Sequence, residues 1–125
     1  TNTPEQFRQL RIEIDAWLGV PYKYGGLDKK GVDCSGLTCA IYKSVYGKII
    51  PRTSKQQYEL CKKITVNELT AGDLVFFKIE TTDVSHVGVY LQNKQFIHAS
   101  VAKGVVVSDL NDPYYSRYFT GAGRF

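Results

Sequence analysis

No methionine occurs anywhere in this chain, which begins at Thr1. A complete translation product starts with that residue, so a leader is expected to have been removed; export would follow if it were a secretion signal. Long apolar runs are missing too: none approaches the roughly 18 residues of a membrane span, and no signal-peptide pattern is present. Cysteine is sparse and odd in number. Cys34, Cys39 and Cys61 show neither the paired spacing of zinc ribbons nor that of small disulfide scaffolds, so at least one thiol stays free or pairs outside the chain. Histidine is rarer still, with His86 and His98 alone. Repeats, low-complexity stretches and linkers are absent. No dense basic patch accompanies the formal net charge of +4, which implies weak attraction to anionic surroundings and argues against nucleic acid as a partner.

What is present suits one domain over residues 1–125, long enough for a single core, and monomer is the default at this size. With 43% hydrophobic and 22% charged residues the composition is that of an ordinary globular chain. Thr3, Pro4 and Gln6 form a capping box with proline at the first helical position. Phe7, Leu10, Ile14, Trp17 and Leu18 then recur at helical spacing until Gly19 and Pro21 end the helix. Pro21 to Gly26 reads as a turn-rich loop presenting aromatic side chains. Asp33 is a good N-cap for a second helix that begins at Cys34, runs along Leu37, Ile41 and Val45, and closes at Gly47. Ser54 with Gln57 repeats the capping box for a short third helix reaching about Cys61.

After Ala71-Gly72-Asp73 the period becomes alternating, with strands near Leu74 to Lys78, Val84 to Gln92, Gln95 to Ser100 and Val105 to Leu110. Helices first and strands afterwards predict an α+β fold with a mainly antiparallel sheet. If Gln92-Asn93-Lys94 is a three-residue hairpin loop, Gly88 faces His98 and Val89 faces Ile97. That register puts His86, Gly88, Tyr90, Phe96, His98 and Ser100 on one face, and Val87, Val89, Ile97 and Ala99 on the other. A two-residue loop would separate the histidines and mix the apolar set.

One thiol and two imidazoles are the parts of a cysteine hydrolase. The thiol needs a base, and the base needs a polar partner to fix its tautomer. Cys34, His86 and His98 can take those roles in that order. A helix N-terminus favours thiolate and offers N–H groups to a developing oxyanion. Asp33 opposes this as a nearby negative charge, but a close, desolvated imidazolium at His86 is expected to win, giving a thiolate–imidazolium pair. His98 is expected to accept from the second nitrogen of His86 and hold the ring. A lone cysteine at a helix start is commonly just a small buried hydrophobe. Cys39, about 140° further around the helix, and Cys61 are read that way. Tyr114, Tyr115, Tyr118 and Phe119 could stack on glycan, but core packing is the favoured reading.

Six motifs in order carry a resemblance: Pro21-Tyr22-x-Tyr24-Gly25-Gly26, Asp33-Cys34-Ser35-Gly36-Leu37, Pro51-Arg52-x-Ser54, Ala71 to Phe77, Ser85-His86-Val87-Gly88-Val89-Tyr90 and Phe96-Ile97-His98-Ala99-Ser100. From about Trp17 to Leu110 the chain resembles the NlpC family of bacterial cell-wall cysteine peptidases. The resemblance implies a papain-like fold with the nucleophile at a helix N-terminus. It implies hydrolysis of amide bonds in peptidoglycan stem peptides or cross-links, by Cys34 as nucleophile, His86 as base and His98 as third polar residue. Tyr22, Asp33, Ser35, Ser54 and Ser85 become the oxyanion- or substrate-binding candidates, with no metal or organic cofactor. Such an enzyme would be exported to the periplasm or cell envelope, with a lipid anchor on the lost leader as one option.

Some family members that require a free amino terminus on the stem peptide carry Asp-Ser after Pro-Arg, whereas here Thr53-Ser54 follows Pro51-Arg52. Without that carboxylate to pair a substrate ammonium, a murein endopeptidase acting on sugar-linked wall is expected, with the bond itself undecided. Three other chemistries fit some of the same residues. An amide or acyl transferase would use the same thioester with an amine acceptor. A catalytically silent wall-binding module would keep the fold but lose a triad member, and none is lost here. A zinc site from Cys34, His86 and His98 would lack the usual four ligands.

Overall fold

The computed structural model describes residues 2–125. Helix α1 spans Pro4–Trp17 and starts with the expected capping box. Thr3 Oγ1 accepts from the Gln6 N–H at 3.1 Å, and the Gln6 side chain accepts from the Thr3 N–H at 3.0 Å, satisfying donors that have no partner within the helix. Leu10 and Trp17 are its buried residues. A short antiparallel ribbon follows, β1 (Leu27–Asp28) with β2 (Gly31–Val32). Helix α2 spans Cys34–Tyr46, capped by Asp33 and closed by Gly47 in the left-handed conformation. Leu37 and Ile41 are fully buried and Val45 nearly so, so the stripe read from the sequence is the face that meets the sheet.

The third helix corrects the expected cap. α3 spans Ser54–Leu60 and its N-cap is Thr53, whose hydroxyl accepts from the Gln56 N–H at 3.2 Å. Thr53 and Ser54 are both competent caps with a glutamine three residues on, so the local pattern is degenerate by one position. Tertiary contacts break the tie, because Gln57 is needed in the core. Its amide nitrogen donates to the Pro51 carbonyl at 2.8 Å, and its amide oxygen accepts from the Thr38 hydroxyl at 3.0 Å.

Six strands form the main sheet in the order β3-β8-β4-β5-β6-β7, every neighbouring pair antiparallel. They are β3 (Lys62–Ile64), β4 (Leu74–Phe77), β5 (His86–Tyr90), β6 (Gln95–Ser100), β7 (Gly104–Asp109) and β8 (Phe119–Arg124). Helix α4 (Pro113–Tyr118) leads into β8. The α+β reading holds, but the strict order of helices before strands does not: β1, β2 and β3 lie among the helices, and α4 separates β7 from β8.

Val89 pairs with Ile97 and Tyr90 with Phe96, the register of the three-residue loop. One sheet face, with Phe76, Val87, Val89, Ile97 and Ala99, packs with Leu37 and Ile41 of α2 and Leu10 and Trp17 of α1. The opposite face carries Val75, Phe77, Tyr90 and Phe96, with Tyr115, Tyr118 and Phe119 packed against them, so the core-packing expectation holds for those three aromatics but not for Tyr114, which is exposed. Phe76, Phe77 and Phe96 are fully buried, and each contributes about 1.5–3 kcal/mol by leaving water. A one-residue slip of β6 would exchange the two apolar sets, so burial on both faces fixes where the histidines point.

Candidate active site

Cys34 is the first residue of α2, and its Sγ lies 3.9 Å from the carbonyl oxygen of Ser85, the residue before β5. The next residue, His86, opens β5, and its Nε2 is 2.8 Å from Nδ1 of His98 on β6. Nε2 of His98 is in turn 2.8 Å from Oγ of Ser108 on β7. The two imidazole planes are nearly perpendicular, at 88°, and both rings line the same hollow as Cys34. Two hollows meet at the thiol. One of about 500 Å³ is lined by His86, His98, Lys103, Tyr114 and Tyr115 among others, and one of about 450 Å³ by Tyr24, Asp33, Arg52 and Ser54 among others. Tyr22, Cys34 and Ser85 line both, so the thiol sits at the waist of a two-lobed groove.

Burial dominates the electrostatics. It pushes the Cys34 thiol up to about 11, with Asp33 adding to the rise, although the N–H groups of Val87, Ser35 and Cys34 itself pull downwards. Burial also pushes His86 down to about 4 and His98 down to about 3, the latter helped by repulsion from His86. Burial thus works against the expected thiolate–imidazolium pair at both partners, favouring the thiol at Cys34 and the neutral ring at His86. Such a pair can pass the proton from sulfur to imidazole as the sulfur attacks, with the first-turn N–H groups aimed at the charge that develops.

A family model described as the NlpC/P60 family matches residues 19–124. The chain belongs to the NlpC/P60 family. It is 41% identical over 108 residues to the murein DD-endopeptidase MepS/murein LD-carboxypeptidase of Escherichia coli (strain K12), covering 86% of this chain and 57% of that protein. It is 42% identical over 116 residues to the probable endopeptidase NlpC of the same strain, covering 92% of this chain and 75% of that one. A crystal structure of an NLP/P60 family protein from Staphylococcus aureus, described as similar to lipoprotein, superposes with a TM-score of 0.88 at 33% identity. That match covers 98% of this chain and 42% of the other. This chain thus spans little more than half the length of the MepS relative.

Within this NlpC/P60 domain the substrate-side candidates fall into different environments. Tyr22 forms an isolated bridge to Val32, and burial and the nearby Cys34 push its phenol up. Asp33 and Ser35 line one lobe but are tied into its wall. The Asp33 carboxylate accepts from the Gly36 N–H at 2.7 Å and the Gly25 N–H at 2.9 Å, and Arg52 reaches both it, at 3.1 Å, and Ser35 Oγ, at 2.8 Å. Ser54 is buried in the same lobe at the first turn of α3. Ser85 presents its carbonyl to the thiol, while its hydroxyl accepts from the Ile79 N–H at 3.1 Å. Cys39 donates to the Pro51 carbonyl at 3.3 Å and Cys61 is buried in the core, so both are structural.

The sequence reading missed Arg52 as the brace of the Asp33 loop, and Ser108 as the partner of His98. The signal for Ser108 was a polar residue breaking the run Val105-Val106-Val107 at an alternating position of a strand. Among the described residues, no group of three or more His, Cys, Asp or Glu side chains is placed to share a metal ion.

Proposed function

We propose that this domain is a cysteine peptidase hydrolysing amide bonds in peptidoglycan stem peptides or cross-links, a murein endopeptidase, with Cys34 as nucleophile, His86 as base and His98 holding the base. The observation that carries this reading is the meeting of three groups in one hollow: a thiol at a helix N-terminus and two imidazoles joined at 2.8 Å. The names of the MepS and NlpC relatives support the substrate class. As Sγ attacks the scissile carbonyl, its proton passes to Nδ1 of His86. The backbone N–H groups of Cys34 and Ser35, with the Tyr22 hydroxyl beside them, receive the oxyanion. His86 then protonates the leaving amine, and a water deprotonated by the same ring hydrolyses the thioester.

The proposal extends to a working enzyme in the periplasm or cell envelope, a location supported by the names of the murein-acting relatives, free or on a lipid anchor and acting as a monomer. Among the described residues no helix is long and apolar enough to cross a membrane. The test is digestion of purified sacculi by the wild type and by Cys34→Ala, with released muropeptides identified by mass spectrometry. One defined cleavage by the wild type, absent from the variant, is expected and names the bond. No release by a wild type whose Cys34 still reacts with a thiol probe would overturn the wall substrate.

A further inference from the structure

The hydrogen-bond chain behind the thiol does not end at His98. That imidazole is fully buried, and its far nitrogen meets the Ser108 hydroxyl at 2.8 Å. β6 and β7 pair His98 with Val106 and Phe96 with Ser108, so Ser108 is the diagonal neighbour of His98 on one sheet face. We propose that Ser108 is a positioning residue, whose hydroxyl sets the tautomers of both histidines so that His86 presents a bare nitrogen to Cys34. The proposal rests on the reading of His86 as the base.

The direction of the protons carries the argument. Nε2 of His86 is occupied by His98, so only Nδ1 can take the thiol proton, and it must be bare at rest. Nε2 of His86 then carries the hydrogen and donates to Nδ1 of His98. His98 must therefore be protonated on Nε2, and that N–H needs an acceptor, which Ser108 Oγ supplies. In the opposite arrangement Ser108 donates to His98, His98 donates to His86, and His86 is left with a hydrogen facing the thiol. That arrangement has no base.

A serine hydroxyl can serve either arrangement, since it both donates and accepts. The role of His86 as base selects between them, since only the first leaves its Nδ1 bare, and the Ser108 oxygen then accepts from His98. Tyr115 on α4 packs edge-on against His98 with centroids 5.1 Å apart, which confines the ring. The titratable neighbours of His98 are His86 on β5 and Tyr115 on α4, the latter beside Tyr114 and Asp112.

The test compares wild type, Ser108→Ala and Ser108→Thr by the pH dependence of Cys34 alkylation with iodoacetamide, read at the Cys34 peptide by mass spectrometry. Loss of the acceptor in Ser108→Ala is expected to slow alkylation about tenfold at neutral pH and move its rise about one unit upwards. Ser108→Thr, which keeps a hydroxyl, restores the wild-type curve. An alanine variant that folds and keeps that curve, or a threonine variant as impaired as alanine, overturns the proposal. Should the alanine variant fail to fold, nitrogen-15 spectra of the wild-type imidazoles decide: both rings protonated on Nε2 are expected, and His98 protonated on Nδ1 overturns it. Alkylation needs no wall substrate, so failure of sacculus digestion with an intact Ser108 effect would sink only the peptidase reading.

Discussion

Asp33→Asn is expected to weaken the fold while making the Cys34 thiol more acidic. The Asp33 residue is 8% exposed and its carboxylate accepts from the N–H groups of Gly36 and Gly25 and from Arg52. Asparagine caps helices as well as aspartate does, so the bond to Gly36 survives. Its amide nitrogen cannot accept from Gly25 or Arg52. Losing the charge-assisted bond from the Gly25 N–H removes about 1.5–3 kcal/mol. The ion pair adds about 1 kcal/mol more, held to that by water, because the Arg52 side chain is 37% exposed. The expected loss is therefore about 2.5–4 kcal/mol, read as a lower urea midpoint at unchanged slope. Asp33→Ala also loses the cap and falls about 1 kcal/mol further. At the thiol the sign reverses. Asp33 helps burial hold Cys34 above its ordinary range, so removing the charge moves the rise of Cys34 alkylation to lower pH. An Asn variant with an unchanged urea midpoint, or one whose alkylation rise moves to higher pH, would refute this account of the carboxylate.

Two further predictions concern the strands that hold the histidines. Burial keeps His86 at about 4 and His98 at about 3, against about 6.5 in an unfolded chain. From about pH 6.5 down to 4 the unfolded chain therefore binds more protons, and stability falls with pH by a few kcal/mol across that window. Urea midpoints at pH 7 and 4.5 should show the drop, His98→Asn should shrink it, and equal midpoints for the wild type would contradict it. At Gly88 an added Cβ would stand 2.7 Å from a Phe96 ring carbon and 2.8 Å from the Ile97 carbonyl oxygen. Gly88→Ala is accordingly expected to lose about 1–3 kcal/mol and to slow Cys34 alkylation by displacing His98; an alanine variant with wild-type melting and labelling would show that β5 and β6 can part freely.

The parts of the fold legible in the sequence are those set by neighbours in the chain. The Thr3 box, the Asp33 cap, the Gly47 stop and the alternation on β5 and β6 each pair a residue type with a local conformational need. Together they bring the thiol and both imidazoles to one place. What escaped the reading depends on partners far along the chain. Phe119 to Arg124, with two glycines and no alternation, becomes a strand only because β3 and β4 flank it. Thr53 displaces Ser54 as a cap because the core claims Gln57. The burial that works against a thiolate at this helix N-terminus is a property of the packed molecule that no local motif displays. Ser108 was invisible as a partner of His98 because that contact needs the β6–β7 register.

The interior position of β8 has a kinetic meaning. A chain emerging from its amino terminus can close β4 to β7 as successive antiparallel neighbours, each contact local and fast. The other edge of β4 stays bare until Phe119–Arg124 arrives, since Leu74 pairs with Gly123. Such late, non-local closure is slow, and meanwhile β4 offers an open strand edge to any other unfinished chain. Arg124 then locks the join through its 2.7 Å bond to Asp73, at the start of β4. Trimming from the carboxyl side would therefore divide the sheet rather than shorten it. The groove thus depends on a strand that is synthesised after every residue that lines it.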